Sequence, residues 1–221
     1  MPPKRQLKSK REEMPRSSAD DGPVYFWKPE QENGFLGQWY ESKFTVTQLS
    51  DEDDAKNVEI TYMNCEHYMM HRKGVLFAPD DSITQEIAAV DKPVPHPSTL
   101  RSLGRKVPNF DEKLWNKERL RIVVEGNYLK FTQNEDLKAQ LLATGDRELI
   151  EASPRDRIWG VGFGAKNAGA MRHRWGLNLL GKALMEVRER IRSEQQKTPV
   201  DSDGIEGPKA KRMNDSPLTS A

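Results

Sequence analysis

Aromatic residues decide where this chain can fold. All 17 of them lie between residues 23 and 193. That segment holds 68 apolar residues among 171, whereas residues 1–22 and 194–221 hold 10 among 50. A core needs the first composition, and the second does not offset its own chain entropy. The sequence therefore predicts one domain over 23–193 between two disordered, charged tails. The whole chain is 31% charged with a mean hydropathy of −0.83, and no run approaches the roughly 20 apolar residues of a membrane-spanning helix. The first 22 residues show no apolar signal-peptide run. Net charge is +1, balanced within the middle segment as well, so composition gives no footprint for nucleic acid. A single cysteine, Cys65, excludes an intramolecular disulfide and fits a reducing compartment. The expected location is cytoplasmic. Nuclear import stays open because basic clusters occur at Lys4–Arg11 and Lys209–Arg212, though short clusters like these are commonly solvated tail.

The apolar pattern predicts a mainly helical α+β domain with a small sheet. Val24–Trp27, Lys43–Thr47 and Val58–Tyr62 read as strands, and Glu148–Ala152 as a fourth. Ser50–Lys56 reads as an acidic loop and Lys92–Pro97 as a Pro-rich break. Asn64 reads as the N-cap of a helix carrying Glu66, Met69, Met70, Lys73 and Phe77. Further helices are expected from Asp81 or Ser82 to Val90, over 98–107, from Asp111 past Phe131, and over Leu137–Leu142 with a stop at Gly145. The Asp111 helix offers Leu114, Trp115, Ile122, Leu129 and Phe131 as apolar contacts. The last helix is marked by Leu180, Ala183, Leu184, Val187 and Ile191 on one stripe, with Asn178 at its N-cap position.

Several polar residues sit inside these patterns. Glu66 and Lys73 are seven apart, about 20° from eclipsed around a helix, with Met70 between them. Charges on an apolar face are costly unless a cleft uses them, so the pair marks either a cleft or a surface ion pair. His67 and His71 have the spacing of zinc ligands on a helix, but no further ligands accompany them. No metal is expected, and both rings read as partly exposed. Asp156-Arg-Ile-Trp159-Gly160-Val-Gly162-Phe-Gly164 lacks the residues of a P-loop or a dinucleotide fingerprint. Its glycines suit close approach of backbone to a ligand, and Trp159 suits stacking on a heterocyclic base. The other reading is a glycine-rich turn packed under a core tryptophan. Arg105 has the planar fork that pairs with phosphate, or is a surface arginine.

These pieces come in the order found in a known family. Glu66-His-Tyr with Lys73, Leu103-Gly-Arg105, Trp115, Lys130-Phe-Thr-Gln133, Leu141-Leu-Ala-Thr144, Glu151, Asp156 to Gly162, and Asn178-Leu-Leu-Gly181 with Leu184 to Arg188 span nearly all of the middle segment. The chain resembles the YbiA-like, or NADAR, N-glycosidases associated with riboflavin-biosynthesis intermediates and ADP-ribose chemistry. It departs from the family's Gly-x-Phe-Ser-Asn-Phe-like turn, reading Gly34-Phe-Leu-Gly-Gln-Trp39.

The resemblance implies a hydrolase cleaving a ribose–base C–N bond. The expected substrate is a phosphate-bearing small molecule, either a ribosylaminopyrimidine phosphate or base-linked ADP-ribose. No cofactor, metal or membrane partner is expected, and nucleic acid only as an ADP-ribosylated base. Such a reaction builds positive charge on the sugar, which a fixed carboxylate stabilises. The expected catalytic residues are Glu66, Asp156 and Lys73. The expected substrate contacts are Trp159, Gly160, Gly162, Asn178, Arg105 and Trp115. The altered turn keeps a second reading open, a non-catalytic module binding ADP-ribose or NAD. A third is an interaction domain that has merely kept the fold.

Overall fold

The computed structural model describes residues 22–48, 58–89 and 96–197. The disorder expected of both tails, both basic clusters, the acidic loop and most of the Pro-rich break lie outside the described residues. The chain runs through strand β1 (Val24–Phe26), a 3-10 turn (Gly34–Leu36), strands β2 (Phe44–Gln48) and β3 (Val58–Tyr62), and helices α1 (Cys65–Phe77), α2 (Ser82–Ala88), α3 (Pro97–Lys106), α4 (Glu112–Thr132) and α5 (Glu135–Ala143). It ends with strand β4 (Leu149–Glu151), the short α6 (Ala165–Ala168), a 3-10 turn (Arg172–Arg174) and α7 (Leu179–Lys197). Helix α7 thus continues past residue 193, where composition placed the domain edge.

The caps follow from local chemistry. Asn64 Oδ1 accepts the His67 N–H at 2.9 Å and starts α1. Asp81 and Asp111 accept the N–H of Ile83 and Leu114 to start α2 and α4. Gly145 follows α5 with φ +60°. The α7 stripe is buried throughout: Leu180, Ala183, Leu184, Val187 and Ile191 are each at most 2% exposed. Such side chains contribute roughly 1.5–3 kcal/mol each when fully buried. Helix α4 packs between α1 and α7, and α1 also packs on α2 and α3. Leu114 is exposed rather than a core contact, because it sits at the open start of α4.

The four strands form two separate pairs. β2 and β3 are antiparallel neighbours, Phe44 opposite Tyr62 and Thr45 opposite Thr61. β1 pairs in parallel with β4, Val24 opposite Leu149 and Phe26 opposite Glu151. A parallel pair needs a crossover, and here five helices and the other strand pair supply it. The consequence is local: Ala152 N–H donates to Phe26 O, and the chain leaving β4 is held in the middle of the molecule.

Candidate active site

Glu66 sits in the first turn of α1, and its backbone N–H donates to Gln38 O at 3.1 Å. That bond lays the Gly34–Trp39 turn across the start of α1. The turn is held from below by α4, where the fully buried Lys130 donates to Phe35 O at 2.6 Å and Gly37 O at 3.2 Å. Asn127 donates to Gln38 Oε1 at 2.9 Å. Leu36, which stands where the family has a polar residue, is wholly buried.

The Glu66 side chain is 4% exposed, and its Oε1 has no hydrogen-bond partner. The cation beside it is Arg101 of α3, with Nε 3.8 Å from Oε1. Burial pushes the Glu66 carboxyl up to about 7; Arg101 and a hydrogen bond from Trp39 oppose that rise, and Asp156 adds to it. Trp39 is also a platform for Arg101, whose Cζ lies 5.8 Å from its ring centre.

A second carboxyl joins this one. Glu151 ends β4, and its Oε2 is likewise buried without a partner. Burial pushes it up to about 8, Asp156 and Glu66 push further, and Arg101 opposes. Its backbone is clamped on both sides. The N–H donates to Asn178 Oδ1 at 3.1 Å, and the carbonyl accepts the Val161 N–H at 2.9 Å. Gly160 is required by this clamp, since a Cβ there would stand 2.7 Å from Glu151 O. Asp156 completes the cluster. Its Oδ1 accepts both the Ile158 and Trp159 N–H at 2.8 Å, which folds the glycine-rich loop back on itself. Trp159 is half-buried and packs on the main core.

The sequence-derived candidates thus divide into three. The charge of Asp156 acts on Glu66, and Trp159, Gly160 and Gly162 lie on the loop that follows Asp156. Asn178 is close by but is not the side-chain cap expected: its amide spans Glu151 N–H and Leu149 O, and Ile158 O and Trp159 O take the first N–H groups of α7. Its φ of +49° is one that asparagine tolerates better than most residues. Lys73, Arg105 and Trp115 form a group of their own. Lys73 does share the α3-facing side of α1 with Glu66, but its ammonium donates to Gly104 O at 2.7 Å and lies 4.3 Å from the Phe110 ring centre and 6.0 Å from that of Trp115. The charge of Arg105 acts on Lys73, whose pKa is lowered by burial first and by Arg105 second. A recess of about 600 Å³ opens nearby, lined by Phe110–Lys113 and Asn116, with none of the clustered carboxylates in its wall.

The two histidines are corrected by the structure. Both are buried, not partly exposed. His67 Nε2 bonds Ile87 O at 2.7 Å, and His71 Nδ1 bonds the Tyr62 hydroxyl at 2.7 Å, so both rings tie α1 to its neighbours. Glu151, Arg101 and Trp39 were absent from the sequence-derived set. Glu151 carried a signal, as the charged end of an apolar strand, but its burial depends on the parallel β1–β4 pairing.

The fold is a helix-rich α+β domain in which two carboxyls with buried oxygens, Glu66 and Glu151, feel the charges of Asp156 and Arg101. The chain belongs to the NADAR domain family, whose model matches residues 25–192. It is 41% identical over 156 residues to an N-glycosidase of Acanthamoeba polyphaga mimivirus, covering 70% of this chain and 85% of that protein. It is 31% identical over 178 residues to a riboflavin biosynthesis protein of Vibrio vulnificus, covering 80% of this chain but 40% of the relative. The NMR structure of the Escherichia coli protein YbiA superposes with a TM-score of 0.61 at 25% identity, over 83% of this chain and 92% of that one. Among the described residues, no helix is long and apolar enough to cross a membrane.

Proposed function

We propose that this chain hydrolyses the N-glycosidic bond between a ribose and a base-like group in a phosphate-bearing small molecule. A ribosylaminopyrimidine phosphate and base-linked ADP-ribose are the two substrate settings. The observation that carries the reading is the pair of carboxyls Glu66 and Glu151, each with a buried oxygen that receives no hydrogen bond from the described residues. Such groups are costly, and a substrate that supplies the missing partner repays that cost. N-glycosidase names on two relatives and a riboflavin-biosynthesis name on a third support the same chemistry.

Each group then has a task. As the C1–N bond breaks, positive charge grows on the ribose, and ionised Glu66 stabilises it. Glu66 then accepts a proton from the water whose oxygen bonds to C1. Glu151, the harder of the two to ionise, gives its proton to the departing nitrogen. Arg101 keeps Glu66 ionised in competition with its burial. Asp156 uses its free oxygen on a ribose hydroxyl or the base edge, and Trp159 stacks on the base. Asn178 acts through Glu151 as a positioning residue. Lys73, Arg105 and Trp115 lie outside this step.

The test is incubation with a panel of N-ribosides, with mass spectrometry for free base. Release from at least one phosphorylated riboside is expected. Tight calorimetric binding of ADP-ribose with no base released from any panel member overturns hydrolysis in favour of a binding module.

A further inference from the structure

The overall charge balance hides a local excess. Between Arg155 and Trp175 the chain carries Arg155, Arg157, Lys166, Arg172 and Arg174 against a single acid, Asp156. All five cations are exposed. Arg172 pairs with Glu148 at 2.7 Å. Arg157 and Arg174 form no ion pair with any described residue. Instead both guanidiniums converge on one ring: their Cζ atoms lie 5.9 and 6.0 Å from the centre of Phe163. Phe163 is a fixed platform, since it packs with Tyr25 and Trp175 on the small core of Ile150, Val161 and Ala168 behind β4. Arg157 is pinned as well, by Nη2 donating to Arg174 O at 2.8 Å. Gly162, at φ +78°, makes the bend that precedes Phe163.

Two guanidiniums against one ring, neither paired with a carboxylate of the described residues, repel each other, and an anion that bridges them removes the repulsion. The planar donor fork of arginine suits the oxygens of phosphate. The position matters too. Arg157 follows Asp156 directly, and Val161, between Arg157 and Phe163, holds the Glu151 carbonyl. We propose that Arg157 and Arg174, seated on Phe163, form the subsite for the phosphate or diphosphate of the substrate. This replaces Arg105, which lies with Lys73 instead. As a substrate anchor the subsite rests on the hydrolase reading above. As an anion site it stands on its own.

Calorimetry of the full chain with ADP-ribose and with ribose 5-phosphate tests it without requiring turnover. Arg174→Gln is the cleaner variant, because that guanidinium makes no hydrogen bond or ion pair with the described residues. Arg174→Gln is expected to weaken binding of the better of the two ligands about tenfold, and Arg157→Ala with Arg174→Gln about a hundredfold, at an unchanged melting temperature for the single variant. The preferred ligand tells a monophosphate site from a diphosphate one. If any riboside of the panel is turned over, the variants raise KM for the phosphorylated form and leave kcat and the dephosphorylated form unchanged. Wild-type affinity in the double variant overturns the subsite. So does loss of binding to a single-stranded oligonucleotide while ADP-ribose and ribose 5-phosphate affinities stay at wild-type values. Absence of turnover with Arg-dependent ligand binding sinks the hydrolase reading and leaves the anion site standing.

Discussion

Glu66 and Glu151 have the same side chain and opposite expected duties, and the difference comes from what surrounds each. Glu66 has Arg101 within 3.8 Å, sits in the first turn of a helix, and is held near 7. Glu151 has no ion pair at that range among the described residues and is pushed to about 8. Near pH 7.5 the state in which Glu66 is ionised and Glu151 protonated is the favoured one, and it is the state the reaction needs. Glu66→Gln should therefore lower kcat by about 10²–10⁴-fold on any base leaving group. Glu151→Gln should lose a similar factor on a poor leaving group but recover most of it on a riboside whose base departs without protonation. Steady-state kinetics with two ribosides of different leaving-group basicity read this directly. Equal losses on both by Glu151→Gln would remove it from the acid role. The pH profile of kcat/KM should be bell-shaped with limbs near 7 and 8, belonging to the coupled pair rather than to either residue alone.

At the scale of elements, the site depends on how α4 and α7 hold two non-helical segments. Helix α4 buries Asn127 and Lys130, both 0% exposed, and uses them to fix the turn above Glu66. Lys130→Met keeps the volume but leaves Phe35 O without its donor and Gly37 O with only the Tyr40 N–H. The expected cost is roughly 2–4 kcal/mol, reduced because a buried cation is also removed, and denaturant unfolding measures it. Asn178→Ala should cost roughly 2–3 kcal/mol by the same reasoning and should also lower activity, since the Glu151 clamp goes with it. The Gly34–Trp39 turn and the glycine-rich loop were readable from the sequence, but the helix residues that hold them were not. α1, α4 and α7 were readable because apolar periodicity and caps are local, and Asn64, Asp111 and the Leu180–Ile191 stripe behave as expected. The strand pairs were not. Their partners are set by packing across five helices, and nothing near Val24 or Leu149 encodes the other. The same limit explains the histidines, Lys130 and Glu151. A polar residue's burial depends on a distant partner, such as Tyr62 for His71 or Phe35 O for Lys130, and a window of sequence does not contain it. Glu66 and Asp156 stood out as candidates because helix position, glycine spacing and family order agreed on them. Arg101 was missed because an arginine one helical turn before Arg105 gives no local sign of facing a buried carboxylate.

For the whole molecule, the distribution of charge matters more than its near-zero sum. Two acids, Glu66 and Glu151, each bury an oxygen without a hydrogen bond from the described residues, and cations gather on the Arg155–Trp175 segment. The interior acids make folding stability depend on pH in a direction opposite to the usual carboxylate. Their folded pKa values are raised above the ordinary 4.5, so the native state holds protons that the unfolded chain has released. This contribution is fully present below about 4.5 and is lost as pH rises through about 7 and 8. Other groups oppose this more weakly. His67 and His71 are lowered by burial, His71 to about 4, so their effect on stability changes mainly below the ordinary 6.5. Lys130 is lowered by burial to about 8, and its contribution grows mainly above that pH. Between pH 6.5 and 8 the carboxyls should outweigh the smaller opposing contributions of the two histidines and Lys130, and wild-type stability should fall by on the order of 2 kcal/mol. At roughly 2–4 °C per kcal/mol for a domain of this size, the melting temperature should drop by about 4–8 °C across the window. Glu151→Gln should flatten most of that drop and melt above wild type at pH 8 while losing turnover of substrates that need the acid. Scanning calorimetry at the two pH values checks both statements. A wild-type melting temperature that rises from pH 6.5 to 8 would mean that Glu66 and Glu151 are ionised in the native state, and the acid–base division between them would fail with it.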